Sequence, residues 1–263
     1  MTAPRYPLDL QSVSYSYLER PNRSILWLLE RHVFRTAPAA AILDVGCGCG
    51  ANARAIRERH PAVRILGVEP DRRAAELAAD ACERMFAGTL EEWLASNAAA
   101  ERVDAVLLSD VLEHIADPVA WLRSMAARPE LADATWIISV PNYAVWYNRL
   151  RTLAGRFEYA WSGLYDRTHL RFYTRDSIRG MLEYCGFEVV AGRATASLVQ
   201  SAAPLLRRGF DSDVSTGDHL ALLNSRSYRL YRRFIEPVEE AFCNLWKGLL
   251  GFQIVLVVRR RRP

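Results

Sequence analysis

Lysine is all but missing from this chain. Lys247 is the only one, so the 34 basic residues are otherwise arginine. Set against 30 acidic residues they leave a formal charge of +4. That excess is small and scattered along helical stretches. It argues against a nucleic-acid surface and reads as a trait of base composition. The one dense run, Arg259 to Arg262, is expected to be solvated rather than to anchor the chain to a membrane. Long apolar runs are missing too. The longest, such as Ile254 to Val258, fall far short of the roughly 20 residues of a membrane span. Residues 1–10 lack the apolar stretch of a signal peptide. Cysteine is scarce, and five is an odd number for a disulfide framework. Cys47 and Cys49 form a Cys-x-Cys pair, but no second pair or nearby histidine gives a four-ligand spacing, so no metal site is expected. These absences together predict a cytoplasmic protein with reduced thiols.

What is present is a 51% hydrophobic share arranged in alternating strand and helix patterns. The segments Ala41–Val45, Arg64–Val68, Arg102–Leu108 and Thr135–Val140 read as buried strands. Helices are expected over Asn22–Phe34, Ala51–Arg59, Arg72–Arg84 and Pro118–Ala127. A further helix, Asp176–Cys185, ends at Gly186 and leads into a strand at Phe187–Val190, and Phe252–Val258 reads as a last strand. The alternation predicts an α/β, doubly wound, largely parallel sheet in one domain over 1–263. Residues 1–38 form an N-terminal cap. Residues 143–173 form a lid insertion and 196–250 a helical insertion, neither apolar enough for its own domain core.

The most telling stretch is Leu43-Asp44-Val45-Gly46-Cys47-Gly48-Cys49-Gly50. A buried strand breaks into a glycine turn and a helix. Glycines at alternate positions let backbone pass close under a ligand, and the helix start offers free N–H groups. About 20 residues on, Glu69 ends the second strand where a carboxylate can take a ribose diol. Gly46-x-Gly48-x-x-Ala51 also fits the dinucleotide fingerprint, so the turn alone leaves a nicotinamide-dependent oxidoreductase open. Asp44 tilts the choice, since a carboxylate there suits a ligand bearing ammonium and sulfonium better than a pyrophosphate.

Three further segments carry a family resemblance: Ser109-Asp110-Val111-Leu112-Glu113-His114-Ile115, Asp166-Arg167-Thr168-His169-Leu170-Arg171-Phe172-Tyr173 and Gly251-Phe252-Gln253-Ile254. With the glycine turn, they resemble class I S-adenosylmethionine (SAM)-dependent methyltransferases. The likeness is to the branch of ubiquinone-biosynthesis-type and glycan or natural-product O-methyltransferases, and it covers about residues 15–258. It implies a Rossmann-like seven-stranded sheet whose last strand is antiparallel. It implies SAM as cofactor and S-adenosylhomocysteine as product. The cofactor residues it implies are Tyr17, Arg23, Asp44, Gly46, Cys47, Gly48, Gly50, Glu69, Pro70, Thr89, Leu90, Ser109 and Asp110. Tyr15 and the Asn22-Arg23 pair belong to the same cap. Relatives often carry an Asp where Thr89 stands, so a hydroxyl takes that place here.

In-line methyl transfer to a hydroxyl gains from a general base. His169, flanked by Asp166, is the first expectation, then His114 at the tip of the fourth strand, with Asp110 third. The aromatic residues Tyr143, Trp146, Tyr147, Phe157, Tyr159, Trp161 and Tyr165 can stack on an acceptor or form the lid's own core. The expected function is O-methylation of a sugar-containing or secondary-metabolite acceptor. N- or C-methylation, or a SAM-binding module without activity, are the alternatives.

Overall fold

The computed structural model describes residues 20–96, 102–160, 163–196 and 230–261. Tyr15, Tyr17, Trp161 and most of the stretch between 196 and 230 lie outside them, so the expectations placed there are not addressed. Seven strands form one sheet: β1 (Ala41–Val45), β2 (Arg64–Glu69), β3 (Arg84–Ala87), β4 (Ala105–Ser109), β5 (Thr135–Pro141), β6 (Phe187–Ala194) and β7 (Gln253–Arg260). Their order is β3-β2-β1-β4-β5-β7-β6. β7 pairs antiparallel with both β5 and β6, and the other neighbouring strands are parallel. This is the α/β, Rossmann-like arrangement with a reversed last strand.

The strands are apolar on both faces because both are covered. Leu43, Val45, Leu66, Val68, Val106 and Leu108 point into one core layer, where Trp136 meets Phe187 edge to face at 5.2 Å. Ile42, Ile65, Ala105 and Leu107 point into the other, beneath the cap helix α1 (Arg23–Leu29), whose Ile25, Leu28 and Leu29 are fully buried. Helices α2 (Ala51–Arg59), α3 (Arg72–Ala78), α4 (Leu90–Ala95), α5 (Pro118–Ala126), α6 (Trp146–Leu153) and α7 (Arg175–Tyr184) fill the connections. Near the C-terminus, α8 (Glu236–Cys243) docks on the cap through Arg23–Glu236 at 3.2 Å and a Ser24–Glu240 hydrogen bond. No helix among the described residues is long and apolar enough to cross a membrane.

Several boundaries differ from expectation: β6 runs on to Ala194 where Val190 was expected, and β7 spans Gln253–Arg260 rather than Phe252–Val258. The helix read over Arg72–Arg84 stops at Ala78, and the chain re-enters the sheet as β3 at Arg84. This strand is an edge strand with both ends exposed and its middle half-buried, so it lacks the apolar run that marks the central strands. β4 begins at Ala105 rather than Arg102, because Asp104 turns its carboxylate back to accept from the Ala41 amide at 2.8 Å.

Candidate active site

The strand order reverses between β1 and β4, and the parallel strands' carboxyl ends meet there, the usual ligand crevice of open α/β sheets. The first wall is the glycine turn. Gly46, Gly48 and Gly50 all have positive φ, at 65°, 54° and 85°. A Cβ on Gly46 would sit 2.9 Å from the Val111 side chain, and one on Gly50 would sit 3.0 Å from the Cα of Ala78. Glycine is therefore required by backbone conformation and by close packing together. Gly46 donates to the Val68 carbonyl at 2.8 Å, tying the turn to β2. Glu69 then closes it: its carboxylate accepts from the Gly48 amide at 2.8 Å and from the Asp71 amide at 2.9 Å. Burial pushes the Glu69 carboxyl up, and the two amides partly oppose this. Asp44 is 1% exposed and in register with Gly67 of β2.

The remaining cofactor candidates divide. Cys47 turns its sulfur inward to the Met85 thioether at 3.8 Å, and the Cys82 thiol beside it, together with burial, pushes its own thiol up. Its contribution at the turn is backbone. Thr89 caps α4 in a reciprocal box with Glu92, accepting from its amide at 3.2 Å while the Glu92 carboxylate takes the Thr89 amide at 2.8 Å. Leu90 is buried in the core. Pro70 is exposed just beyond β2. Arg23 pairs with Glu236 at 3.2 Å, whereas its neighbour Asn22 reaches inward.

The second wall is the tip of β4. Ser109 ends the strand, and Asp110 follows with φ 57°, the one non-glycine positive φ among the described residues. Such strain persists only where surroundings hold it. Here Ser139 of β5 donates to one carboxylate oxygen at 3.1 Å, Gln253 of β7 donates to the other, and the Asp110 amide donates to the Ser139 carbonyl at 3.1 Å. Gln253 in turn accepts from Asn22 at 3.1 Å, and the Asn22 amide donates to Asn52 of α2 at 2.8 Å. One hydrogen-bonded chain thus joins cap, α2, β7 and β4. Burial raises the Asp110 carboxyl to about 6 against the two side-chain donors. Asn22 apart, sequence reasoning missed these partners; the available signal was a glutamine opening an otherwise apolar strand.

The described parts of the segment 143–173 lie over this tip. The Glu113 carbonyl accepts from the Leu170 and Arg171 amides at 2.7 and 3.1 Å, and Tyr143 donates its amide to the Tyr173 carbonyl at 2.7 Å. Its aromatics make their own small core around Val145, Leu164 and Tyr165, leaving Phe157 and Tyr159 about half exposed. The docking brings the His114 and His169 rings edge to face at 4.9 Å. Loss of surrounding water lowers both imidazoles, although part of the His114 ring still reaches the surface, and that of His169 is lowered also by the neighbouring His114. The Asp166 carboxylate does not hydrogen-bond the His169 imidazole; the two residues meet only through backbone, the His169 amide donating to the Asp166 carbonyl at 3.0 Å. Asp166 accepts instead from the Thr168 amide and hydroxyl at 2.8 and 2.7 Å, which shapes the turn, and His169 Nδ1 faces the Leu164 carbonyl at 3.4 Å.

The arrangement fits SAM on the chain's own features: a tight glycine cradle, a buried carboxylate at the end of β2 and a second acidic group on β1. Residues 17–191 match a family model described as a methyltransferase domain. No curated protein matches the sequence. Among solved structures, a SAM-dependent methyltransferase from Archaeoglobus fulgidus is 16% identical with a TM-score of 0.51, covering 90% of this chain and 93% of its own. A putative methyltransferase from Bacillus halodurans is 14% identical with a TM-score of 0.50, covering 92% and 100%. Coclaurine N-methyltransferase bound to N-methylheliamine and S-adenosylhomocysteine is 14% identical with a TM-score of 0.51, covering 89% and 70%. At these identities the likeness is one of fold.

Proposed function

The chain belongs to the methyltransferase-domain family and is a SAM-dependent enzyme, and on that premise we propose that it methylates a hydroxyl of a small, sugar-containing or secondary-metabolite acceptor. The observation that supports this reading is the edge-to-face pair of His114 and His169 just past the tip of β4, in the same short segment as the carboxylate of Asp110 held by Ser139 and Gln253. SAM, when bound, supplies a methyl group on a sulfonium. Gly46, Gly48 and Gly50 leave the backbone open beneath it, Glu69 takes its ribose diol, and Asp44 offsets its positive charge. The acceptor's proton is lost at the tip of β4 with the help of Asp110 and the two imidazoles, a task that contributes typically 10²–10⁴-fold. Exposed Phe157 and Tyr159 supply apolar faces on which a sugar or aromatic acceptor can lie.

The test is transfer of labelled methyl from SAM to parallel panels of sugar hydroxyls, phenols and amines. Preferential labelling of hydroxyl acceptors is expected, with turnover falling about 10²–10⁴-fold in His114→Ala or His169→Ala at nearly unchanged SAM affinity. Labelling of amines alone, with both variants as active as the parent, would overturn the hydroxyl reading.

A further inference from the structure

We propose that Glu113, His114 and His169 bind one divalent cation of the transition series at the mouth of the acceptor site. This departs from the expectation, drawn from cysteine spacing, that the chain holds no metal. It rests on the functional reading above and changes the part of the two imidazoles there from proton acceptor to ligand.

The geometry comes first. One ligand atom from each of the three side chains lies within 4.8 Å of the other two. A cation with bonds of about 2.1 Å separates its ligand atoms by roughly 3–3.5 Å. Small side-chain rotations therefore close the triangle. The three come from two segments held together by backbone: the Glu113 carbonyl accepts the Leu170 and Arg171 amides.

The chemistry of each ligand agrees. Glu113 is 1% exposed, yet neither carboxylate oxygen has a hydrogen-bond partner among the described residues. Burying a carboxylate without a partner is costly, and a cation is one of the few groups that offset it. His114 Nδ1 lies 3.2 Å from the Thr168 carbonyl and His169 Nδ1 lies 3.4 Å from the Leu164 carbonyl. A carbonyl only accepts, so in each neutral ring Nδ1 carries the proton and Nε2 keeps its lone pair. That is the tautomer a metal-ligating histidine adopts, held by a carbonyl behind it. Two imidazoles and one carboxylate favour Zn²⁺ or Co²⁺ over Mg²⁺, which prefers oxygen. Three protein ligands leave coordination positions open, where an acceptor hydroxyl can be bound and polarised.

The experiment is cation binding to the full chain after chelation and dialysis, without SAM or acceptor. Co²⁺ is followed by its visible absorption, and Zn²⁺ and Mg²⁺ by calorimetry. One equivalent of Co²⁺ and of Zn²⁺ is expected. His114→Ala, His169→Ala and Glu113→Gln should each weaken binding by about 100-fold or more, beyond the loss typical of outer-shell changes. Should Glu113→Gln fail to fold by circular dichroism, His114→Ala carries the test, since that side chain is exposed. Absence of Co²⁺ and Zn²⁺ binding below about 1 mM, or unchanged affinity in the folded variants, overturns the site. Tighter binding of Mg²⁺ than of Co²⁺ overturns the cation class. SAM binding is measured on the same samples. A chain that binds SAM and no cation fails this proposal alone. A chain that binds the cation but methylates no acceptor fails the functional reading instead.

Discussion

The Glu69 carboxylate holds the Gly48 amide at 2.8 Å and the Asp71 amide at 2.9 Å, so one side chain sets both the glycine turn and the start of α3. Glu69→Ala should therefore weaken SAM by about 1–3 kcal/mol, the usual scale for losing hydrogen bonds to a charged group. Because burial raises the Glu69 carboxyl, SAM affinity should begin to fall, as pH drops, above the ordinary carboxylate range. Calorimetry across pH checks both. A variant that binds SAM as the parent does would remove Glu69 from the site.

Gly50→Ala should destabilise the chain by about 1–3 kcal/mol from its φ of 85° alone, before the 3.0 Å approach to the Ala78 backbone is counted. Gly48→Val should abolish SAM binding, since a β-branched residue is forced to φ near 54° beneath the ligand. Urea unfolding checks the first and calorimetry the second. A folded Gly48→Val chain with parental SAM affinity would refute the cradle.

Asp110 gives a pH prediction with a definite sign. Its carboxyl is raised from 3.8 to about 6, so the folded chain holds this proton longer than the unfolded chain does. Stability from this group is full below about pH 4, falls as pH rises toward 6, and stays reduced above that. Asp110→Asn keeps a residue type tolerant of positive φ and removes the buried charge. It should raise the urea midpoint at pH 8 more than at pH 5, while lowering turnover. An equal change at both pH values would contradict the assignment.

Gln253→Leu should act on the same group from 143 residues away in sequence. Its loss removes a donor that favours the ionised form, so the acidic limb of the pH–rate profile should move above about 6. An unmoved limb would mean that Asp110 does not govern it.

The segment 143–173 should gain hydrogen-exchange protection when cofactor and acceptor bind together, with the central strands unchanged. Equal protection with and without both ligands would count against a closing role.

The central sheet was legible because β1, β2, β4 and β5 are apolar on both faces, and the glycine turn because three glycines share one short loop. β3 was hidden because an edge strand with exposed Arg84 and Ala87 carries no apolar run. Thr89 had two readings in sequence, an adenine contact and a cap on the following helix, and the capping partner Glu92 three residues on is as local a signal as sequence offers. Asp166 was assigned to His169 by proximity in sequence, yet the nearer backbone amide of Thr168 takes its carboxylate. The pairing of His114 with His169, and of Asp110 with Gln253, depends on chain segments tens to more than a hundred residues apart. No local pattern encodes such meetings.

β7 lies between β5 and β6, and its first residue, Gln253, supports Asp110 and meets Asn22. During synthesis, then, the cap, β4 and the glycine turn all leave the ribosome well before the strand that joins them. Until that strand inserts, β5 and β6 each lack this neighbour, and Asp110 must hold its strained backbone without one of its two side-chain donors. Completion of the active site thus waits for β7, and a nascent chain stalled before residue 253 is a sheet with an open slot and no finished acceptor pocket.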